Sequence, residues 1–268
     1  EALRVNTTGA NNVAVGALAL DANTTASNNT AVGYNSLGAN TTGDRNVALG
    51  FEAMFTNSVG DRSVAVGFQA LYSQNPASKE DLNNVAIGYS AGFAMTTGSG
   101  NVAIGEAALD ANTTADNNTA VGARSLSANT TGANNTGLGA NALRDNTTAS
   151  DNTAVGSSAL LNNTTGQFNV AVGGVALSSN TTGDFNTAVG ENALGSATTA
   201  DNNSAIGKSA LITLTTGSSN TALGFAAGQN TTTGSENTAV GSAAGLSLTT
   251  GGTNTCVGSE AGHDLTTG

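Results

Sequence analysis

Along the chain, a short apolar alternation closed by glycine returns with a fixed step. A Gly preceded by Val, Ile or Leu stands at Gly16, Gly33, Gly50 and Gly67, then at Gly88, Gly105, Gly122, Gly139, Gly156, Gly173, Gly190, Gly207, Gly224, Gly241 and Gly258. Every step is 17 residues except the 21 between Gly67 and Gly88, so the chain is fifteen copies of one unit. The one irregularity is a four-residue insertion near residues 74–81. From its first position the unit reads N-[TV]-A-[VIL]-G-x-x-A-L-x-x-N-T-T-G-x-x, and a fixed period of this kind is the signature of a repeat architecture.

The triplet at positions two to four alternates as a strand does, and the Gly at five stops it. Asn-Thr-Thr-Gly at twelve to fifteen reads as a second turn or short strand, because Asn and Gly tolerate positive φ. The unit is too short for two packed helices, and Thr, Val, Asn and Gly are poor helix material. Two short strands and two turns make one coil, and stacked coils hydrogen-bond in parallel about 4.8 Å apart. The expected fold is all-β: a parallel β-solenoid, or β-roll, of fifteen 17-residue coils occupying residues 1–268 as a single repeat domain.

Position three is Ala except at Gly137 and Cys256, and position eight is Ala or Ser. A strand restricted on both faces is usually buried on both. The expectation is that Val, Ile or Leu at four stacks inside the coil, while the small third position meets a neighbouring chain and the eighth marks a second close approach. The first-position Asn, as at Asn12, Asn29, Asn46, Asn84, Asn101, Asn118 and Asn152, suits a turn, and identical Asn one coil apart can form a hydrogen-bonded ladder. The sequence opens inside one unit, at Asn6-Thr7-Thr8-Gly9, and stops inside another, at Thr266-Thr267-Gly268. With no polar cap in view, a segment of a longer fibre is expected.

Composition narrows the chemistry. Charged residues make up 9%, the formal net charge is −11, Lys and Arg number seven, and His263 and Cys256 are the only residues of their kinds. A basic nucleic-acid footprint is therefore missing, as are an intrachain disulfide framework and a Cys₂His₂ zinc site. No apolar run reaches the ~18 residues of a membrane span. Nothing suggests an enzyme, and no metal or cofactor is expected. Stacked Asp44 and Asp61, and Asp184 and Asp201, raise calcium, but Arg45 and Arg62 follow the first pair and the calcium-binding repeat pattern is missing. The sequon N-T-T recurs at Asn23, Asn40, Asn112, Asn129, Asn146, Asn163, Asn180 and Asn230, where turn hydrogen bonding is the simpler use.

Aromatic residues concentrate in one stretch. Tyr34, Phe51, Phe68 and Tyr89 share position six of four successive coils, and Phe55, Tyr72 and Phe93 share position ten. The insertion, with Lys79 and Glu80, interrupts the same region. Together they form the candidate patch for a host-surface receptor or glycan; rings stacked on one another to stiffen the rod are the plainer alternative.

The strings Asn12-Val13-Ala14-Val15-Gly16, Asn84-Val85-Ala86-Ile87-Gly88 and Asn101-Val102-Ala103-Ile104-Gly105 resemble the head repeats of trimeric autotransporter adhesins. Asn118-Thr119-Ala120-Val121-Gly122, continuing to Asn129-Thr130-Thr131-Gly132, is similar to repeats of phage and bacterial tail-fibre-domain proteins. The resemblance covers essentially the whole chain and implies a left-handed parallel β-roll of three chains. The 17-residue period departs from the adhesin heads. The implied function is a non-enzymatic extracellular fibre on a cell surface or virion, self-associated as a homotrimer or longer filament, with no membrane insertion in this segment. Ice binding by stacked Thr arrays is the alternative, although Thr24-Thr25 and Thr41-Thr42 are adjacent rather than alternating.

Overall fold

The computed structural model describes residues 1–268. It holds fifteen three-residue strands and no helix, hence no helix able to cross a membrane. The chain divides into two compact units, Glu1–Asn134 and Asn135–Gly268. The first carries β1 (Val13–Val15), β2 (Thr30–Val32), β3 (Val47–Leu49), β4 (Val64–Val66), β5 (Val85–Ile87), β6 (Val102–Ile104) and β7 (Thr119–Val121). The second carries β8 (Thr136–Leu138), β9 (Thr153–Val155), β10 (Val170–Val172), β11 (Thr187–Val189), β12 (Ser204–Ile206), β13 (Thr221–Leu223), β14 (Thr238–Val240) and β15 (Thr255–Val257). Within each unit successive strands pair in parallel, position on position: Val13 with Thr30, Ala14 with Ala31, Val15 with Val32. This is a parallel β-solenoid with a 17-residue coil. Across the insertion Val64 still pairs with Val85 and Val66 with Ile87, so the extra residues leave the sheet undisturbed.

The strand faces are the reverse of the expectation. Ala31, Ala48 and Ala65 at position three are fully buried, whereas Val15, Ile87 and Leu223 at position four are 57%, 40% and 46% exposed. Alternation opposes position three to positions two and four, and the interior decides which set turns inward. Leu20, Leu37 and Leu109 at position nine are fully buried, as are Ala19, Ala53 and Ala108 at eight. With leucine already inside a narrow coil, the facing strand has room only for Ala. Small residues at three and eight therefore mark close approach within the chain, not between chains. Ser36 keeps the eighth position polar only by donating its hydroxyl to the Ala48 carbonyl, at 2.8 Å.

No second strand forms at Asn-Thr-Thr-Gly. The N–H groups of Thr24 and Thr25 both donate to the Thr41 carbonyl, at 3.3 and 3.4 Å, and the Thr24 hydroxyl joins them at 3.2 Å. Three donors converging on one acceptor cannot make the evenly spaced bonds of a parallel ladder.

The turns are built from left-handed backbone. Gly16 has φ of +128°, and a Cβ there would lie 2.6 Å from the Gly33 carbonyl oxygen of the next coil, so position five admits only glycine. Position nine is left-handed too, φ being 50° at Leu20 and 58° at Gly245. That shared conformation explains why Leu, Met and Gly exchange there. Where nine is Gly, at Gly92, Gly228, Gly245 and Gly262, position twelve carries Met95, Thr231, Leu248 or Leu265 instead of Asn.

Candidate interaction surface

The first-position amides form a ladder inside the coil corner. Asn29 N–H donates to Asn12 Oδ1 at 2.9 Å, and Asn29 Nδ2 donates to the Gly43 carbonyl at 2.8 Å. The same link joins Asn46 to Asn29, Asn101 to Asn84 and Asn118 to Asn101, each at 2.9 Å, and Asn152 to Asn135 at 3.0 Å. Each amide satisfies a backbone donor above and a backbone acceptor within its own coil, which a buried corner requires.

Two further ladders use the N-T-T asparagines, which do supply the turn hydrogen bonds expected of them, and the stacked sixteenth position. Position twelve makes a second amide column: Asn40 Nδ2 donates to Asn23 Oδ1 at 3.1 Å and to the Gly43 carbonyl at 3.0 Å. Asn163 and Asn180 repeat this pattern. These are the asparagines of the recurring N-T-T, and Asn23, Asn40, Asn112, Asn129, Asn146, Asn163 and Asn180 are fully buried. Only Asn230, one position earlier in its coil, is exposed.

Position sixteen makes the third column. Asp61 Oδ1 accepts the Asp44 N–H at 2.7 Å, Asp44 Oδ1 accepts the Ser27 N–H at 2.7 Å, and Asp201 Oδ1 accepts the Asp184 N–H at 2.8 Å. Ser218 and Ser235 hydroxyls do the same for Asp201 and Ser218. The signal was the exchange of Asp with Ser, two residues sharing a short side-chain oxygen. No three His, Cys, Asp or Glu side chains come together in a way that could hold a metal ion.

The rings stack as ladders. Centroids at position six are 5.3 Å apart for Tyr34–Phe51, 5.2 Å for Phe51–Phe68 and 5.2 Å for Phe68–Tyr89. Phe55, Tyr72 and Phe93 follow at 5.4 and 5.1 Å. Phe51 and Phe68 have both faces covered by neighbouring rings, leaving their edges outward, while all four position-six rings stay 40–59% exposed. A third stack, Phe168 on Phe185 at 5.0 Å, sits at position seventeen, where the sequence marks no candidate residue.

The insertion folds over a different corner. Lys79 Nζ lies 2.6 Å from Asp44 Oδ2, 2.8 Å from the Thr42 carbonyl and 3.8 Å from Asp61 Oδ2. Arg62 and Asp81 pair at 2.6 Å, and the Glu80 carbonyl accepts the Asp61 N–H at 2.9 Å. Leu82 and Pro76 close over Gly60. The bonds of Lys79 and Glu80 run to positions fourteen to seventeen, none to the rings. Burial pushes the Asp44 carboxyl up, yet the Lys79 ammonium and the Ser27 N–H hold it below the ordinary carboxylate range. At Asp61 burial prevails and raises the carboxyl.

The outward strand positions have the same character in every coil. Outward position two is Val, Thr or Ser, and outward position four is Val, Ile or Leu, without a charged residue in any copy. No protein-family model matches the chain, and no curated protein matches it.

Proposed function

We propose that this chain is a non-enzymatic extracellular fibre element, on a cell surface or virion, whose copies associate as a homotrimer or longer filament along the outward strand face. Position four carries the reading: it faces out, yet is Val, Ile or Leu in all fifteen copies. A hydrated face has no need of that restriction. A partner covering it must repeat at the coil spacing, and a second copy does so. Each copy bears −11, so the uncharged face is where two copies approach with least repulsion. The likeness to adhesin heads and tail-fibre repeats supports three chains per rod, with a host-surface receptor or glycan as the target of the assembled fibre. The test is Leu49→Glu with Ile87→Glu. The parent is expected to be an oligomer by light scattering, and the variant a folded monomer with an unchanged circular dichroism spectrum. A monomeric parent, or a variant of unchanged mass, overturns the reading.

One observation favours the second reading, ice binding. In β8–β15, position two is Thr in six of eight strands, at Thr136, Thr153, Thr187, Thr221, Thr238 and Thr255, beside an apolar position four. Hydroxyl and methyl rows therefore alternate on an outward face, away from the adjacent Thr pairs. Ice-recrystallisation inhibition that is lost in Thr187→Lys with Thr221→Lys would support it, and inactivity of the parent would discard it.

A further inference from the structure

A seam made of identical coils has a problem of register. Within Glu1–Asn134 a one-coil slip sets Val15 against Val32, Val32 against Leu49 and Val66 against Ile87, so like still meets like. Repetitive strands specify their pairing weakly, and a unique residue is what removes the degeneracy. The insertion cannot serve, because Lys79, Glu80 and Asp81 bond to positions fourteen, sixteen and seventeen, Gln74 and Asn75 to positions eleven and thirteen, and β4 pairs with β5 in unbroken register. One non-repeating feature lies just beyond the outward strand residues: the rings of Tyr34, Phe51, Phe68 and Tyr89, each two residues past position four and half-exposed. The ladder is bounded on both sides at position six, by Ala17 before it and Glu106 after it.

We infer that this ring ladder sets the register in which copies of the chain pair along the strand face. The inference rests on the self-association reading above. With copies level about an axis that runs beside the ring column, four ring edges meet four ring edges, and edge contacts between aromatic rings are favourable. A slip of one coil strands Tyr34 or Tyr89 opposite the small Ala17 or the Glu106 carboxylate, which is 3.8 Å from Arg124 and costly to desolvate against a ring. The occupant is therefore a second copy, aligned in parallel and level, as a rotation axis running along the coil stack requires.

The test uses the full chain carrying Cys256→Ala, the residue found at that position in most copies. One population carries a nitroxide through Asn28→Cys and the other a gadolinium tag through Thr114→Cys. These exposed sites lie near opposite ends of the first unit. Mixed oligomers of the parent are expected to give one interchain distance. A ladder displaced by one coil, through Ala17→Phe with Tyr89→Ala in one population only, is expected to move that distance by about 4–5 Å, one coil spacing. Tyr34→Ser, Phe51→Ser, Phe68→Ser and Tyr89→Ser together are expected to leave the mass unchanged and spread the distance over several values. Oligomers whose distances ignore both changes overturn the register role alone. A parent monomeric by light scattering overturns the self-association reading beneath it.

Discussion

The coil holding Leu160 and Asn163 and the coil holding Gly245 and Leu248 fill the same interior by opposite routes. In the first, leucine enters from position nine while Asn163 Nδ2 donates to Asn146 Oδ1 and the Gly166 carbonyl, each at 2.9 Å. In the second, Gly245 vacates that side, and Leu248 enters from position twelve with 2% exposure. A Cβ on Gly245 would make ordinary contacts, 3.6 Å to Ala239 Cβ and 3.9 Å to Cys256 Sγ. In the coil of Leu177, Asn180 Oδ1 has no hydrogen-bond partner, and Ala197 follows it in the column. Leu211 and Leu214 are buried together in one coil, and a Cβ on Gly228 of the next would come 2.8 Å from Leu211 Cδ2, so leucine volume is balanced across neighbouring coils and not by a residue type at either position.

The comparison breaks most severely if an apolar residue enters the amide column. Asn163→Leu overfills a stretch in which Leu143, Leu160 and Leu177 already occupy position nine of three successive coils, and it leaves the Gly166 carbonyl without its Asn163 donor and Asn180 Nδ2 without its Asn163 acceptor, a loss of about 2–5 kcal/mol in denaturant unfolding. Gly245→Leu overfills the other regime and is expected to cost about 1–3 kcal/mol. Adding Leu248→Asn to it should recover most of that loss, since the pair recreates the first arrangement; a double variant as unstable as the sum of its parts would refute volume exchange. The smallest effect is a gain. Ala197→Asn offers Asn180 Oδ1 a donor and should raise stability by about 0.5–1.5 kcal/mol, read as a higher melting temperature.

Period, strand triplet and first amide ladder were legible because each recurs unchanged at 17-residue intervals. The inward face was not, since alternation separates Ala48 from Val47 and Leu49 without saying which side is closed. Leu37 and Met54 at position nine held the answer: the largest apolar side chains claim the inside, and Ala is what remains possible opposite them. The paired changes at nine and twelve were hidden because Gly92 with Met95 looks like variation until the two are seen to share one space. Position sixteen was obscured in the same way, Asp44, Asp61, Ser218 and Ser235 differing in charge while doing the same work for backbone N–H groups. The ring ladders at positions six and ten were visible from spacing alone, but the engagement of Lys79 with Asp44 required the loop's path.

The uniform reach of the ladders bears on how such a chain acquires its shape. Nearly every link between coils joins residues one period apart, whatever the number of coils. Loop-closure entropy is thus the same for each added turn, and ordering can start in any adjacent pair and spread outward. Lengthening such an array by whole units should leave the time to add a coil unchanged, and a nascent chain can begin to zip while its later portion is still being synthesised.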